Sequence, residues 1–254
     1  MLGFFRRRRR EKLRTTPLSA SAWAIIDRRV PLIARMSEAD RAELGGIVQI
    51  LLDEKHFEGC GGLVMTEEIR LTIAAQAAVL LLHRETNYYP TLLSILVYPR
   101  AYFSSAPRRN PDGTITEGPQ GRLGESWFRG ALVLSWEDVV RGADDEHDGH
   151  NVVLHEFAHQ LDGESGGMDG APALARQSCY RDWARVLGQE YAELIQELHA
   201  GHSTLIDPYG ATNPAEFFAV ITELFFERPE ALYREHPELY DQLAGFYRTD
   251  PQSG

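Results

Sequence analysis

The sequence predicts an α+β fold, mostly helical, with a small sheet in the middle third and a histidine-bearing helix that begins near Asn151. Three observations carry that expectation. Apolar residues recur at helical spacing through residues 18–58 and 66–82. Two short runs in the middle are instead rich in β-formers. From Asn151 onward the helical spacing returns and persists almost to the end.

Taken in order, residues 1–17 read as a basic flexible arm, and 18–250 as a single domain. The arm holds Arg6, Arg7, Arg8, Arg9, Arg10, Lys12 and Arg14 against Glu11, a net +6 that leaves −17 on the remaining chain. Such a run is expected as a solvated, frayed segment. Residues 18–58 predict helix, broken near Pro31 and restarted at Ser37, whose hydroxyl can cap the next turn. Gly59, Gly61 and Gly62 end that region. Thr66 then caps a second apolar helix reaching about Leu82.

Leu92, Leu93, Ile95, Val97 and Tyr98 predict a buried strand between Pro90 and Pro99. Asn110, Pro111, Asp112 and Gly113 form a strong turn signal, followed by Thr114, Ile115 and Thr116. Residues 130–135 read as another strand, so an antiparallel or mixed sheet is expected. Helices are then predicted over 151–162, 173–199, 214–227 and 229–246. Gly-, Asp- and Pro-rich loops separate the first three.

Several function classes are excluded by composition. An acidic body carrying most of a net charge of −11 argues against direct nucleic-acid binding. The two cysteines, Cys60 and Cys179, have no CxxC spacing and are expected as small buried hydrophobes in a reducing compartment. The apolar run at 73–82 is interrupted by Gln76 and too short to span a bilayer. Residues 18–26 make a poor signal-peptide core, because Ser19 and Ser21 interrupt them. A cytoplasmic protein with no membrane span is the expectation.

The chemistry concentrates at His155-Glu156-Phe157-Ala158-His159. On an α-helix, residues i and i+4 lie about 40° apart and roughly 6 Å along the axis. Two imidazoles at that spacing can converge on one divalent cation at about 2.0–2.1 Å. Glu156 lies beside the metal and can take a proton from its water. Val152, Val153 and Leu154 make the preceding turn apolar, which argues against a solvated surface helix.

A third ligand is needed. Asp162 shares the helix with both histidines, and three ligands in a row cannot easily surround an ion. It suits a supporting acceptor or a helix end better. Downstream candidates are His199, His202, Asp207, Glu216 and Glu223. The last two lie seven residues apart and share a face of an otherwise apolar helix, where an acid is costly without a partner. Glu216 also fits a capping glutamate after Asn213 and Pro214. Spacing alone leaves both glutamates open, with Glu216 favoured.

At these residues the chain resembles the Mlc titration factor A family of bacterial zinc peptidases. The resemblance rests on 155–162 together with 209–219, Tyr209-Gly210-Ala211-Thr212-Asn213-Pro214-Ala215-Glu216-Phe217-Phe218-Ala219. Further matches are Phe57-Glu58-Gly59-Cys60-Gly61-Gly62, Met65-Thr66-Glu67-Glu68 and Ile73-Ala74-Ala75-Gln76-Ala77, within a span of roughly 20–248. The arginine-rich start is not part of that pattern.

The family's catalytic region is similar to that of the anthrax lethal factor peptidase. The resemblance therefore implies Glu216 as third zinc ligand and Tyr209 as an oxyanion-stabilising hydroxyl. It also implies Glu223 as a supporting acceptor. It further implies an aminopeptidase-like hydrolase of peptide substrates that binds the Mlc transcriptional repressor. The alternative is a regulatory protein that sequesters a transcription factor, with structural or vestigial zinc.

Overall fold

The computed structural model describes residues 2–100, 103–104, 108–109, 115–116, 120–121 and 130–252. The turn expected at 110–113 lies outside them.

The chain opens with helix α1, Leu2–Thr15, followed by α2, Ala20–Arg29, and the single turn α3, Pro31–Ala34. Helix α4, Glu38–Glu54, is capped by Ser37, which accepts the Asp40 N–H at 3.1 Å. The segment expected as a frayed arm is thus helical. Its arginines find acids on α4: Arg10 Nε lies 2.6 Å from Glu54 Oε1, Arg6 Nη2 lies 2.8 Å from Glu54 Oε2, and Arg9 pairs with Asp53. Leu13 completes the contact by packing against the core.

The central sheet corrects the expected strand direction. Strand β1, His56–Gly59, pairs with β2, Ser94–Tyr98, and β2 with β7, Ala131–Ser135, both in parallel. Helix α5, Glu67–Val79, crosses between β1 and β2, and parallel neighbours require such a crossover. The helix expected over 18–58 runs across β1, because only Lys55 separates the end of α4 from the strand. Among the described residues, antiparallel pairing is found in two ladders, β3 (Phe103–Ser104) with β6 (Gln120–Gly121) and β4 (Arg108–Arg109) with β5 (Ile115–Thr116).

Helix α6, Trp136–Asp144, leads to α7, Val152–Gly163, the histidine-bearing helix. Then come α8, Cys179–His199, a 3-10 turn at Pro208–Thr212, and α9, Pro214–Glu227. The predicted 229–246 helix is two, α10 (Pro229–Glu235) and α11 (Pro237–Tyr247), because Pro237 cannot continue the first. Cys179 is exposed rather than buried.

One continuous core joins the sheet to α4, α5, α7 and α9. In α9, Phe217, Phe218, Ile221, Leu224 and Phe225 are all buried, so the helix is anchored along its length. That rigidity fixes where its acids Glu216 and Glu223 point. No helix among the described residues is long and apolar enough to cross a membrane.

Candidate metal centre

Helix α7 is set in place from its first residue. Asn151 caps it, its side-chain oxygen accepting the N–H groups of Val153 and Leu154 at 3.1 Å each. The Asn151 amide in turn donates to Gln76 Oε1 at 2.9 Å and to the Gly142 carbonyl at 3.3 Å, tying the cap to α5 and α6. Val153, Leu154, Phe157, Ala158 and Leu161 fill the core. The opposite stripe carries His155 and His159, whose rings stand 4.8 Å apart.

Helix α9 meets them. Asn213 caps it, accepting from Ala215 N at 2.9 Å and Glu216 N at 3.0 Å, with Pro214 at the first helical position. The cap predicted from sequence is therefore real. Yet the Glu216 carboxylate turns to the histidines, where Oε2 lies 3.0 Å from His155 Nε2 and 3.2 Å from His159 Nε2. The two Nε2 atoms are themselves 3.2 Å apart.

Three ligand atoms on a tetrahedron with bonds of about 2.0–2.1 Å stand roughly 3.3 Å from one another. The observed triangle is within a few tenths of an ångström of that. Two imidazole nitrogens and one carboxylate oxygen are also the donor set expected for a borderline divalent cation. His155, His159 and Glu216 are the cluster among the described residues that could hold a metal ion.

Glu223 occupies the other side of His155. Its Oε1 is 2.7 Å from Nδ1, and its Oε2 accepts the Asn151 backbone N–H. The two glutamates that spacing left open are thus divided, Glu216 to the converging Nε2 atoms and Glu223 to the outward Nδ1. This arrangement fixes which ring nitrogen of His155 faces inward.

Electrostatics favour a cation here. Glu156 is buried, and desolvation raises its pKa to about 8, with the Glu216 and Glu223 carboxylates pushing the same way against the influence of His155. Its Oε2 has no hydrogen-bond partner among the described residues. Burial alone would raise Glu216 too, but hydrogen bonds from both histidines hold it down at about 2. Three acids around two imidazoles are what a divalent charge would balance.

Tyr209 stands beside the histidines, half-exposed, with its ring 6.0 Å from that of His155. Asp207 positions it by accepting the Tyr209 N–H at 2.7 Å at the start of the 3-10 turn. Partial burial and the neighbouring Glu216 carboxylate raise its phenol pKa.

The remaining candidates lie elsewhere. Asp162 is fully buried and accepts the Gly170 N–H at 2.9 Å, so it closes the loop after α7. His202 pairs with Glu197 at 2.6 Å on the surface, and His199 ends α8 in solvent. Sequence reasoning missed Asn151 as the joint between cap and site. Its signal was available, an asparagine directly before an apolar helical run.

Residues 4–248 match the family described as glucose-regulated metallo-peptidase M90. The chain is 44% identical over 245 residues to an uncharacterized protein of Synechocystis sp., covering 96% of this chain and 89% of the relative. It is also similar to Mlc titration factor A of Yersinia pestis, 30% identical over 225 residues, with 87% of this chain and 82% of the relative covered. Mlc titration factor A of Yersinia pseudotuberculosis matches at the same identity and coverage.

Proposed function

Since the chain belongs to the M90 family of glucose-regulated metallopeptidases, we propose that it is a zinc-dependent peptidase with aminopeptidase-like activity. The observation that carries the reading is the convergence of His155 Nε2, His159 Nε2 and Glu216 Oε2 beside a buried Glu156 carboxylate whose Oε2 has no hydrogen-bond partner among the described residues. The ligand set suits zinc among divalent ions. Those three atoms would hold the ion, which when bound supplies a Lewis acid for the scissile carbonyl and an acidified water.

The chain's own groups do the rest. Glu156 takes the proton of the attacking water and delivers it to the leaving amine. Tyr209 donates its hydroxyl to the oxyanion that develops on the scissile carbonyl. Glu223 keeps His155 in the tautomer that presents Nε2 inward, and Asn151 keeps Glu223 in place.

Hydrolysis of short peptides by Glu156→Gln, with metal content measured alongside, tests the assignment. Activity should fall by roughly 10²–10⁴-fold at unchanged metal content. Full activity at full metal content would refute the mechanism. Tyr209→Phe should slow turnover by about 10²-fold while retaining metal, and an unchanged kcat would remove Tyr209 from the account.

The name of the Yersinia relatives favours a second role, binding of an Mlc-like transcriptional repressor in the cytoplasm. The two roles separate experimentally. Glu156→Gln should leave repressor binding intact, whereas a purely regulatory protein would show no hydrolysis in any form.

A further inference from the structure

Helix α1 turns two sides to different surroundings. One side is docked on α4: Arg6 and Arg10 reach Glu54, Arg9 pairs with Asp53, Arg14 stands 3.9 Å from Glu43, and Leu13 packs on the core. At roughly 100° per residue, Phe4, Arg8, Lys12 and Phe5 fall within an arc of about 100° opposite Arg6 and Arg10. All four are exposed, so the contact with α4 holds this side of the helix toward solvent.

Phe4 and Phe5 are 62% and 63% exposed, and they are the one sequence-adjacent pair of large exposed apolar side chains among the described residues. Their rings meet edge to face with centroids 6.0 Å apart, and the Arg8 guanidinium carbon lies 5.5 Å from the Phe4 centroid. Two such rings side by side form a small apolar patch that the fold itself does not cover.

The charge around the patch is positive. Arg7, Arg8 and Lys12 form no ion pair among the described residues, and Glu11 is the one acid of α1, so the exposed side carries three cations against one acid, +2. Counting every acid that α1 pairs with changes the size and not the sign. Its seven cations then stand against Glu11, Glu43, Asp53 and Glu54, a balance of +3. The acidic remainder of the chain acts from further away, and screening limits its reach to about 8 Å at physiological salt.

We propose that the exposed side of α1 docks on an anionic lipid bilayer, with Phe4 and Phe5 entering the boundary between headgroups and acyl chains and Arg7, Arg8 and Lys12 meeting lipid phosphates. A bilayer interface accommodates both features at once, an apolar phase for the rings and negative charge for the cations. A nucleic-acid duplex offers the same phosphates but no apolar phase. Since α1 is already folded against α4, docking requires no helix formation, and the attachment is peripheral and reversible. The ion pairs to Asp53 and Glu54 carry the rest of the protein to the bilayer with the helix.

Co-sedimentation of the full-length protein with vesicles tests this, using phosphatidylcholine alone and phosphatidylcholine mixed with phosphatidylglycerol. The protein should pellet with the anionic vesicles, stay in solution with the zwitterionic ones, and dissociate as salt is raised. Arg8→Gln and Lys12→Gln should each weaken binding about fivefold. The double variant Phe4→Ser/Phe5→Ser should weaken it about tenfold or more at unchanged charge. These positions lie off the α4 contact, so wild-type Tm values are expected and separate lost binding from lost fold. Arg181→Gln, at an exposed position on α8, should bind as the wild type does. Equal binding to both vesicle types, wild-type affinity in the phenylalanine variant, or equal losses in Arg181→Gln and Arg8→Gln would overturn the proposal. So would tighter binding to a DNA duplex than to the anionic vesicles.

Discussion

His155 Nδ1 stands 2.7 Å from Glu223 Oε1, while the Nε2 of the same ring stands 3.0 Å from Glu216 Oε2. One imidazole is thus held between two acids of one helix, a ligand on the inner side and an orienting acceptor on the outer. Replacing the orienting acid with an amide should leave the fold intact but loosen the ring. Glu223→Gln is expected to weaken divalent-cation affinity by about 10–100-fold, read by competition with a chelator. Unchanged affinity would mean that the contact does not tune the site.

The loop between α7 and α8, which packs against the start of α9, makes a separate demand. Gly170 has φ +76°, donates its N–H to Asp162 at 2.9 Å, and accepts from Trp183 Nε1 at 2.9 Å. A Cβ there would lie 2.4 Å from the Pro214 carbonyl oxygen, which is backbone and cannot step aside cheaply. Pro214 is two residues from Glu216. Gly170→Ala should therefore destabilise the protein by ~2 kcal/mol or more, a Tm loss of about 4–8 °C, and should also weaken metal binding. A variant with wild-type Tm and affinity would show that α9 is not seated through this contact.

The attachment of α1 is pH-dependent in a defined direction. Burial alone would raise Glu54, but hydrogen bonds from Arg10 and Arg6 outweigh it and bring its pKa to about 2, from an ordinary 4.5. A carboxylate depressed in the folded state contributes stability that is complete above about pH 4.5 and is lost as pH falls toward 2. Hydrogen exchange of residues 2–15 should accelerate across that window ahead of the core. At neutral pH, Glu54→Gln should reproduce the acceleration by roughly tenfold, since charged hydrogen bonds of this kind contribute ~1.5 kcal/mol or more. Equal protection in the variant would place the anchoring elsewhere.

Much of this was legible in the sequence, for identifiable reasons. The His155–His159 spacing, the Asn213 cap and the acids of α9 are local patterns, and local geometry survives into the fold. Strand direction is not local. β1 is four residues long, with His56 and Glu58 facing solvent, and only its pairing with β2 across the α5 crossover reveals it as a strand. The helicity of α1 was hidden for a related reason. Arginines in a row read as self-repelling until the acids on α4 that neutralise them, forty-odd residues away, are in view. The choice between Glu216 and Glu223 likewise depends on which end of α9 meets Nε2, a tertiary fact.

The central claim is that one divalent cation is held by His155, His159 and Glu216. Elemental analysis of purified wild-type, Glu216→Gln and Glu223→Gln proteins after exhaustive dialysis tests it most directly. The account predicts about one equivalent of zinc in the wild type, little or none in Glu216→Gln at equal folded yield, and a reduced but chelator-sensitive fraction in Glu223→Gln. Full zinc occupancy in folded Glu216→Gln would contradict it.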